Sequence, residues 1–308
     1  MIALPIFYFK DKIEIPDILA LTETANNYVK EIEKPSWIIE NLAEIFKTVE
    51  KFGSDLGFDI RNRIPDSSRI HLFEDKEFVK LSKNLGASII SKGFSRPVNR
   101  EVLVDTEKDI LEKQETVGYM HGFSELCCRI AHELIHLITY IEVCVNKNGL
   151  IDYSRYGFFD TIGNNFKLFN EGLTELTKFY LIKNYWRNSA LLKKLSGLDR
   201  KKMNVAYPLS TVLVDMILEK MVNKINIPYK DILNLFQGYQ IENPMEGIKY
   251  LENTLGKKET NILAGLDVQD IENTAYYLKL EPLYIELGLE EQFIILNKDP
   301  GYRFIEKL

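Results

Sequence analysis

The sequence has few cysteines and no long apolar run, and these absences exclude several classes of protein. Its three cysteines are Cys127, Cys128 and Cys144, an odd number that includes an adjacent pair. This excludes a secreted disulfide scaffold and favours a reducing compartment, so we expect a cytoplasmic protein. No segment reaches the roughly 18 consecutive apolar residues of a membrane-spanning helix. The apolar segment 1–9 lacks the basic start and the small-residue cleavage site of a signal peptide.

Basic residues are also fewer than acidic ones. Lys and Arg total 39 and Asp and Glu total 45, which gives a net charge of -6. An acidic chain without a basic run argues against nucleic acid or an anionic membrane as its main partner. The rest of the composition is that of an ordinary globular chain, long enough to bury a core. We find no internal repeat, low-complexity segment or flexible linker, so we expect no independently tethered domains.

The spacing of apolar residues predicts an α+β fold that is mostly helical. Short alternating segments at 69–73, 87–91 and 100–104 predict a small sheet of three or four strands, with Gly93 and Pro97 in the turn between the last two. Helical spacing predicts the helices Asp17–Ile32, Ser36–Phe52, Asp75–Leu85, Ser124–Val145, Asn165–Tyr185, Leu209–Asn226, Tyr229–Gln237 and Met245–Leu255. We expect a mainly helical N-terminal region 1–65, a central region 66–185, and a helical C-terminal region 186–308 packed on it.

The segment His132-Glu133-Leu134-Ile135-His136 contains two of the four histidines of the chain. On a helix, residues four apart lie on one face, so both imidazoles can reach a single metal ion. Glu133 lies about 100° around the helix from His132, beside the metal, where it can take a proton from metal-bound water. The apolar positions of this predicted helix form a separate stripe, and we expect both histidines to face away from it. That stripe is Cys127, Ile130, Leu134, Ile138, Ile141 and Val145.

A catalytic zinc site needs a third protein ligand besides the two histidines. Asn170-Glu171-Gly172 supplies one on the next predicted helix, and Glu175 lies one turn beyond Glu171 on the same face. Gly172 has no side chain, so we expect it to let this helix approach the histidine helix closely. The alternative for such a pair of carboxylates is a solvated helix face, with Glu175 paired to Lys178 or to a neighbour.

These two segments together resemble the gluzincin class of zinc metallopeptidases, whose third ligand is a Glu, and in particular small bacterial gluzincins of the minigluzincin type. The resemblance covers about residues 69–185, which it marks as a zincin-like catalytic core. It implies one zinc ion per chain, bound by His132, His136 and Glu171. It also implies that Glu133 is the general base and that Glu175 orients a ligating histidine.

The same resemblance implies a residue that stabilises the oxyanion, commonly a Tyr or a His in this class. Tyr156 and Tyr207 are the candidates, and a packing role is the alternative for both. His121 can also face the site, with a capping or surface role as its alternative. Position 142 is Glu, where the metzincin pattern has a third histidine, so that branch is excluded. Cys127 and Cys128 fall toward the apolar side of the helix and are interpreted as core residues.

The motifs therefore predict a zinc-dependent metallopeptidase that hydrolyses peptides or proteins with a metal-activated water. In this class the substrate lies extended along an edge strand, for which 100–104 or 87–91 is the candidate. Two alternatives stay open. One is a catalytically silent zinc-bearing protein that binds a partner, and the other is a zinc hydrolase that acts on a non-peptide amide.

Overall fold

In the part of the chain that the structure describes, helices dominate and the strands form two small sheets of three. The computed structural model describes residues 30–84, 92–96, 100–107, 117–145, 151–193, 206–273, 280–292 and 307–308. Its helices are α1 (Ser36–Asp55), α2 (Asp75–Asn84), α3 (Val117–Ile138), α4 (Lys167–Asn184), α5 (Pro208–Ile225), α6 (Tyr229–Glu242), α7 (Pro244–Leu255), α8 (Lys257–Ala264), α9 (Val268–Glu272) and α10 (Glu281–Glu286). Its strands are β1 (Ile70–Phe73), β2 (Gly93–Arg96), β3 (Glu101–Asp105), β4 (Ile141–Val145), β5 (Ile151–Tyr156) and β6 (Phe159–Asp160). The predicted α+β, mostly helical fold is confirmed.

The chain divides into two compact units. Among the described residues, one unit takes 30–138 and 181–193, and the other takes 139–180 and those from 206 onward. The first unit holds the sheet β1–β3 with α1, α2 and α3, and the second holds the sheet β4–β6 with most of the remaining helices. This division describes packing, so the three regions expected from the sequence stay a prediction. None of the described helices combines the length and apolar character that crossing a membrane requires.

The first sheet has β3 in its centre, with β1 parallel on one side and β2 antiparallel on the other. All five residues of β3 are buried. The expectation that 100–104 is an edge strand is therefore wrong, and 87–91 lies outside the described residues. Gly93 was expected in a turn, but it begins β2 and pairs with Val104. The described edges of this sheet are β1 and β2.

The helix α3 ends earlier than its apolar spacing predicts. The predicted helix Ser124–Val145 continues through Ile141 and Val145, whereas the observed helix stops at Ile138 and Ile141–Val145 is a strand of the second sheet. Two long-range contacts lie at this boundary: Arg63 Nη1 donates to the carbonyl of Ile138 at 2.7 Å, and Tyr140 N–H donates to the carbonyl of Gln240 at 2.9 Å. The alternation of β-branched residues after Ile138 suits a strand as well as a helix, and these contacts favour the strand.

The predicted helix Asp17–Ile32 is wrong at its end, which is the part of it that the structure describes. Residues 17–29 lie outside the described part of the chain, but Glu31 forms an antiparallel bridge with Phe73, and Ile32 N–H donates to the carbonyl of Leu72 at 2.8 Å. Its last residues are therefore extended along β1. Helical periodicity did not reveal this, because the backbone N–H and C=O groups of these residues can bond to a distant strand instead of to their own helix.

The helix α4 is buried along nearly its whole length, from Leu168 to Ile182. Gly172 was expected to face the histidine helix, but it lies against α5. A Cβ atom at Gly172 would lie 2.6 Å from the carbonyl oxygen of Ser210 and 2.6 Å from Cγ2 of Val214. The glycine therefore permits close packing of α4 on α5.

We expect the substitution Gly172→Ala to destabilise the protein. Overpacking costs about 1–3 kcal/mol, more than the roughly 1 kcal/mol that alanine gains over glycine inside a helix. The main obstacle is a backbone carbonyl, which cannot rotate away as a side chain can. Denaturant unfolding of the metal-free protein measures the loss. Gly265→Ala is the matched control, because its Cβ would meet only atoms at 3.8 Å; equal stability of the two variants would contradict the prediction.

Candidate metal centre

The two histidines of α3 present the same ring nitrogen to one point. Nε2 of His136 lies 3.1 Å from Nε2 of His132, and the ring planes are inclined by 79°. Two nitrogens bound at 2.0–2.1 Å to one tetrahedral zinc ion are about 3.3 Å apart. A hydrogen bond between one protonated and one neutral ring nitrogen has a similar length. The geometry is therefore compatible with a metal site.

Glu171 completes a possible ligand set. One ligand atom each from His132, His136 and Glu171 can be chosen so that all three lie within 4.8 Å of one another. The exposed fractions of these residues are 5%, 3% and 6%. Two imidazoles and one carboxylate suit zinc and related transition metals, whereas Ca²⁺ and Mg²⁺ prefer oxygen ligands. The donor set expected from the sequence is thus one that could hold a metal ion, and its chemistry fits the metal expected for it.

Burial of these groups also bears on the charge of the centre. Glu133, between the histidines, is only 8% exposed. This centre therefore contains two buried carboxylates, those of Glu133 and Glu171. Buried carboxylates are stabilised by charges of opposite sign, and a divalent cation held by these residues would be one such charge. The sequence predicts that both histidines face away from the apolar stripe of α3. The structure buries α3 on almost every side between Leu126 and Ile138, so the histidine face is buried as well.

Glu133 lies against the edge strand β2. A Cβ atom at Gly93 would lie 3.1 Å from Oε1 of Glu133 and 3.3 Å from its Cγ. Gly93 therefore leaves room for this carboxylate beside the strand. Sequence reasoning missed this role because it placed Gly93 in a turn. The signal in the sequence was a glycine next to a predicted strand, because such a glycine often marks a place where another group comes close to the backbone.

Glu175 is fully buried and forms an ion pair with Lys178, one turn along α4. Its Oε1 also accepts from the backbone N–H of Ala206 at 3.3 Å. Lys178 is buried as well, and its ammonium lies 4.6 Å from the ring centre of Phe179. The pairing with Lys178 is thus present, but in the interior and not on a solvated face. The role of Glu175 in orienting a histidine stays a prediction.

The two tyrosine candidates lie at the ends of secondary-structure elements. Tyr156 ends β5, is half-buried, and packs its ring against Phe159 at 5.5 Å. Tyr207 precedes α5, and its carbonyl accepts from both N–H and Oγ1 of Thr211. Their oxyanion role stays a prediction, and the side chain of His121 is outside the described part. Burial raises the pKa of the Cys127 thiol well above its ordinary value, which fits a core residue and not a nucleophile.

A buried amide network beside Glu171 was also missed from the sequence. Asn170 Oδ1 accepts from the backbone N–H of Phe158 and from Nε2 of Gln240, both at 3.0 Å. Gln240 Nε2 is also 3.0 Å from Oγ1 of Thr174. The partners are separated by as many as 70 residues, so no local pattern announces them.

Comparisons of this chain with models of protein families, with curated proteins and with solved structures found no match.

We expect Glu175→Ala to destabilise the protein by about 3–5 kcal/mol, because Lys178 would stay buried without its carboxylate. Loss of metal affinity in that variant would therefore be ambiguous. The double variant Glu175→Met/Lys178→Met replaces the pair by neutral side chains of similar size that cannot accept strongly from a histidine N–H, with Lys178→Met as its control. If Glu175 orients a histidine, zinc affinity of the double variant falls by about 10–100-fold. Unchanged affinity, measured by competition with a chelator, would leave Glu175 as the partner of Lys178 only.

Proposed function

We propose that this protein is a zinc metallopeptidase that hydrolyses peptide bonds, with His132, His136 and Glu171 as metal ligands and Glu133 as general base. The observation that carries the proposal is the buried cluster of two imidazoles and one carboxylate. The motifs that place these residues resemble gluzincins, and the cluster contains the three ligands that this resemblance implies.

The chemistry divides between the metal and the chain. When bound, zinc supplies a water of lowered pKa and a Lewis acid for the scissile carbonyl. Glu133 takes the proton of the attacking water at a carboxylate oxygen and delivers it to the nitrogen of the leaving amine. Breakage of the C–N bond leaves a carboxylic acid and an amine, so no covalent bond to the protein is needed.

The presence of Glu133 favours catalysis over mere metal storage. A site that only binds metal has no use for a carboxylate between its two histidines. Glu133 is buried, and Gly93 leaves space for it beside β2. We infer that this carboxylate is present because it acts as a base.

The substrate of the proposed reaction is an extended peptide. In the order β1-β3-β2 of the described strands, β2 is terminal, and this is the strand that lies against Glu133. An extended segment can add to such an edge through backbone hydrogen bonds, which recognise any peptide sequence. We place the reaction in the cytoplasm, since Cys127 and Cys128 are buried thiols outside any disulfide.

Metal content followed by a peptide digest tests the proposal. The purified protein should contain one zinc ion per chain and should cleave members of a peptide library. Removal of zinc by a chelator should abolish cleavage, and added zinc should restore it. Zinc without peptide cleavage, but with cleavage of other amides, would favour a non-peptide substrate. Zinc without any hydrolysis would favour a binding protein, and absence of zinc binding would overturn the proposal.

A further inference from the structure

Gln240 of α6 contacts both chain segments that carry the proposed ligands. Its backbone carbonyl accepts from Tyr140 N–H at 2.9 Å, and Tyr140 follows His136 by four residues. Its side-chain amide donates to Asn170 Oδ1 and to Thr174 Oγ1, each at 3.0 Å. Asn170 immediately precedes Glu171, and Thr174 follows it by three residues. One glutamine is thus bonded on both sides of Glu171.

The orientation of both amides follows from a donor of known identity. Phe158 N–H donates to Asn170 at 3.0 Å, so the Asn170 atom at that point is the oxygen. Gln240 faces the same oxygen and must therefore present its nitrogen. A reversed Gln240 amide would place oxygen against oxygen. The arrangement has one solution, which makes it suitable for holding a position.

Space and solvent are both restricted around this network. The side chains of Asn170 and Gln240 are almost completely buried. A Cβ atom at Gly157 would lie 2.2 Å from Asn170 Oδ1 and 3.1 Å from Cγ of Gln240. Because water has little room to replace the amide, loss of the Gln240 side chain leaves Asn170 Oδ1 and Thr174 Oγ1 with weaker hydrogen-bond donors.

We propose that Gln240 is a positioning residue of the metal centre, which holds the N-terminal part of α4 where the Glu171 carboxylate reaches the metal. The inference rests on the proposed function, because it assigns Glu171 as a ligand. Gln240 touches neither metal nor substrate in this assignment. It acts through Asn170 and Thr174 on the backbone that carries the ligand.

The chain offers a matched control on the same helix. Gln237 lies three residues before Gln240 in α6, is equally buried, and donates through Nε2 to Thr177 Oγ1 of α4 at 3.2 Å. Thr177 follows Glu171 by six residues. Gln237→Leu therefore removes one buried amide contact between the same two helices, but farther along the chain from the ligand. Gln240→Leu removes the side-chain contacts to Asn170 and Thr174, which lie on both sides of Glu171.

Two measurements separate positioning from stability. The dissociation constant for Zn²⁺ is measured by competition with a chromophoric chelator, and the visible absorption of the Co²⁺-loaded protein reports the coordination geometry. Unfolding of each metal-free variant is measured alongside. Gln240→Leu should weaken zinc binding by about 10–100-fold and should change the Co²⁺ spectrum. Gln237→Leu should leave both close to those of the parent, even where its stability falls by a similar amount.

The outcomes distinguish this inference from the proposed function. If the parent binds zinc and Gln240→Leu matches Gln237→Leu in affinity and spectrum, Gln240 is structural only and the inference is overturned. If the parent binds no zinc, the inference falls together with the proposed function. Should Gln240→Leu not fold, Gln240→Asn keeps an amide but is one methylene too short to reach both acceptors. The same two readouts then apply to it, with Gln237→Asn as its control.

Discussion

The substitution Glu133→Gln should keep zinc bound and lose hydrolysis. Glutamine has nearly the same size and fits the space beside Gly93, but its amide cannot take a proton from water at neutral pH. General acid–base catalysis contributes about 10²–10⁴-fold, so the loss of turnover should be of this size. Peptide cleavage under single-turnover conditions measures it, because product release then does not hide the chemical step.

Zinc content and the unfolding transition of Glu133→Gln are its internal controls. Both should remain close to those of the parent, since the ligands are unchanged and a neutral side chain costs less to bury than a carboxylate. Full activity with zinc bound would show that Glu133 is not the base. The active site would then have to be sought elsewhere in the chain.

Removal of the third ligand should have the largest effect on the metal. Glu171→Ala leaves two imidazoles, and three protein ligands are the usual minimum for a catalytic zinc site. Loss of an outer partner costs about 10–100-fold in affinity, so loss of a ligand should cost more than 100-fold. Chelator competition measures the zinc dissociation constant, and cleavage should fall with zinc occupancy.

Glu246→Ala is a suitable control for removal of a carboxylate. Glu246 lies in α7, is half-exposed, and pairs at the surface with Lys249. Surface pairs of this kind contribute about 0–1 kcal/mol, so zinc affinity and stability should stay close to those of the parent. Parent-like zinc binding in Glu171→Ala would remove Glu171 from the ligand set and weaken the resemblance to gluzincins.

Local sequence spacing was enough to predict the histidine part of the site. His132 and His136 are separated by one helical turn, and a helix places such residues on one face wherever the helix lies. The same holds for the class of fold, because apolar periodicity and turn residues report on local conformation. The parallel and antiparallel order of β1, β2 and β3 depends on pairing between distant segments and was not predictable in this way.

The sequence by itself therefore determined the candidate ligands and the α+β, mostly helical class. Only the tertiary structure decided that α3 ends at Ile138, that β2 is the edge beside Glu133, and that Gly172 packs on α5. It also decided that Glu175 has Lys178 as a partner in the interior and that Gln240 reaches Asn170. The physical reason is the same in each case: helical and strand periodicity are set by neighbours in the chain, whereas helix ends, strand order and buried polar partners depend on segments far apart in sequence.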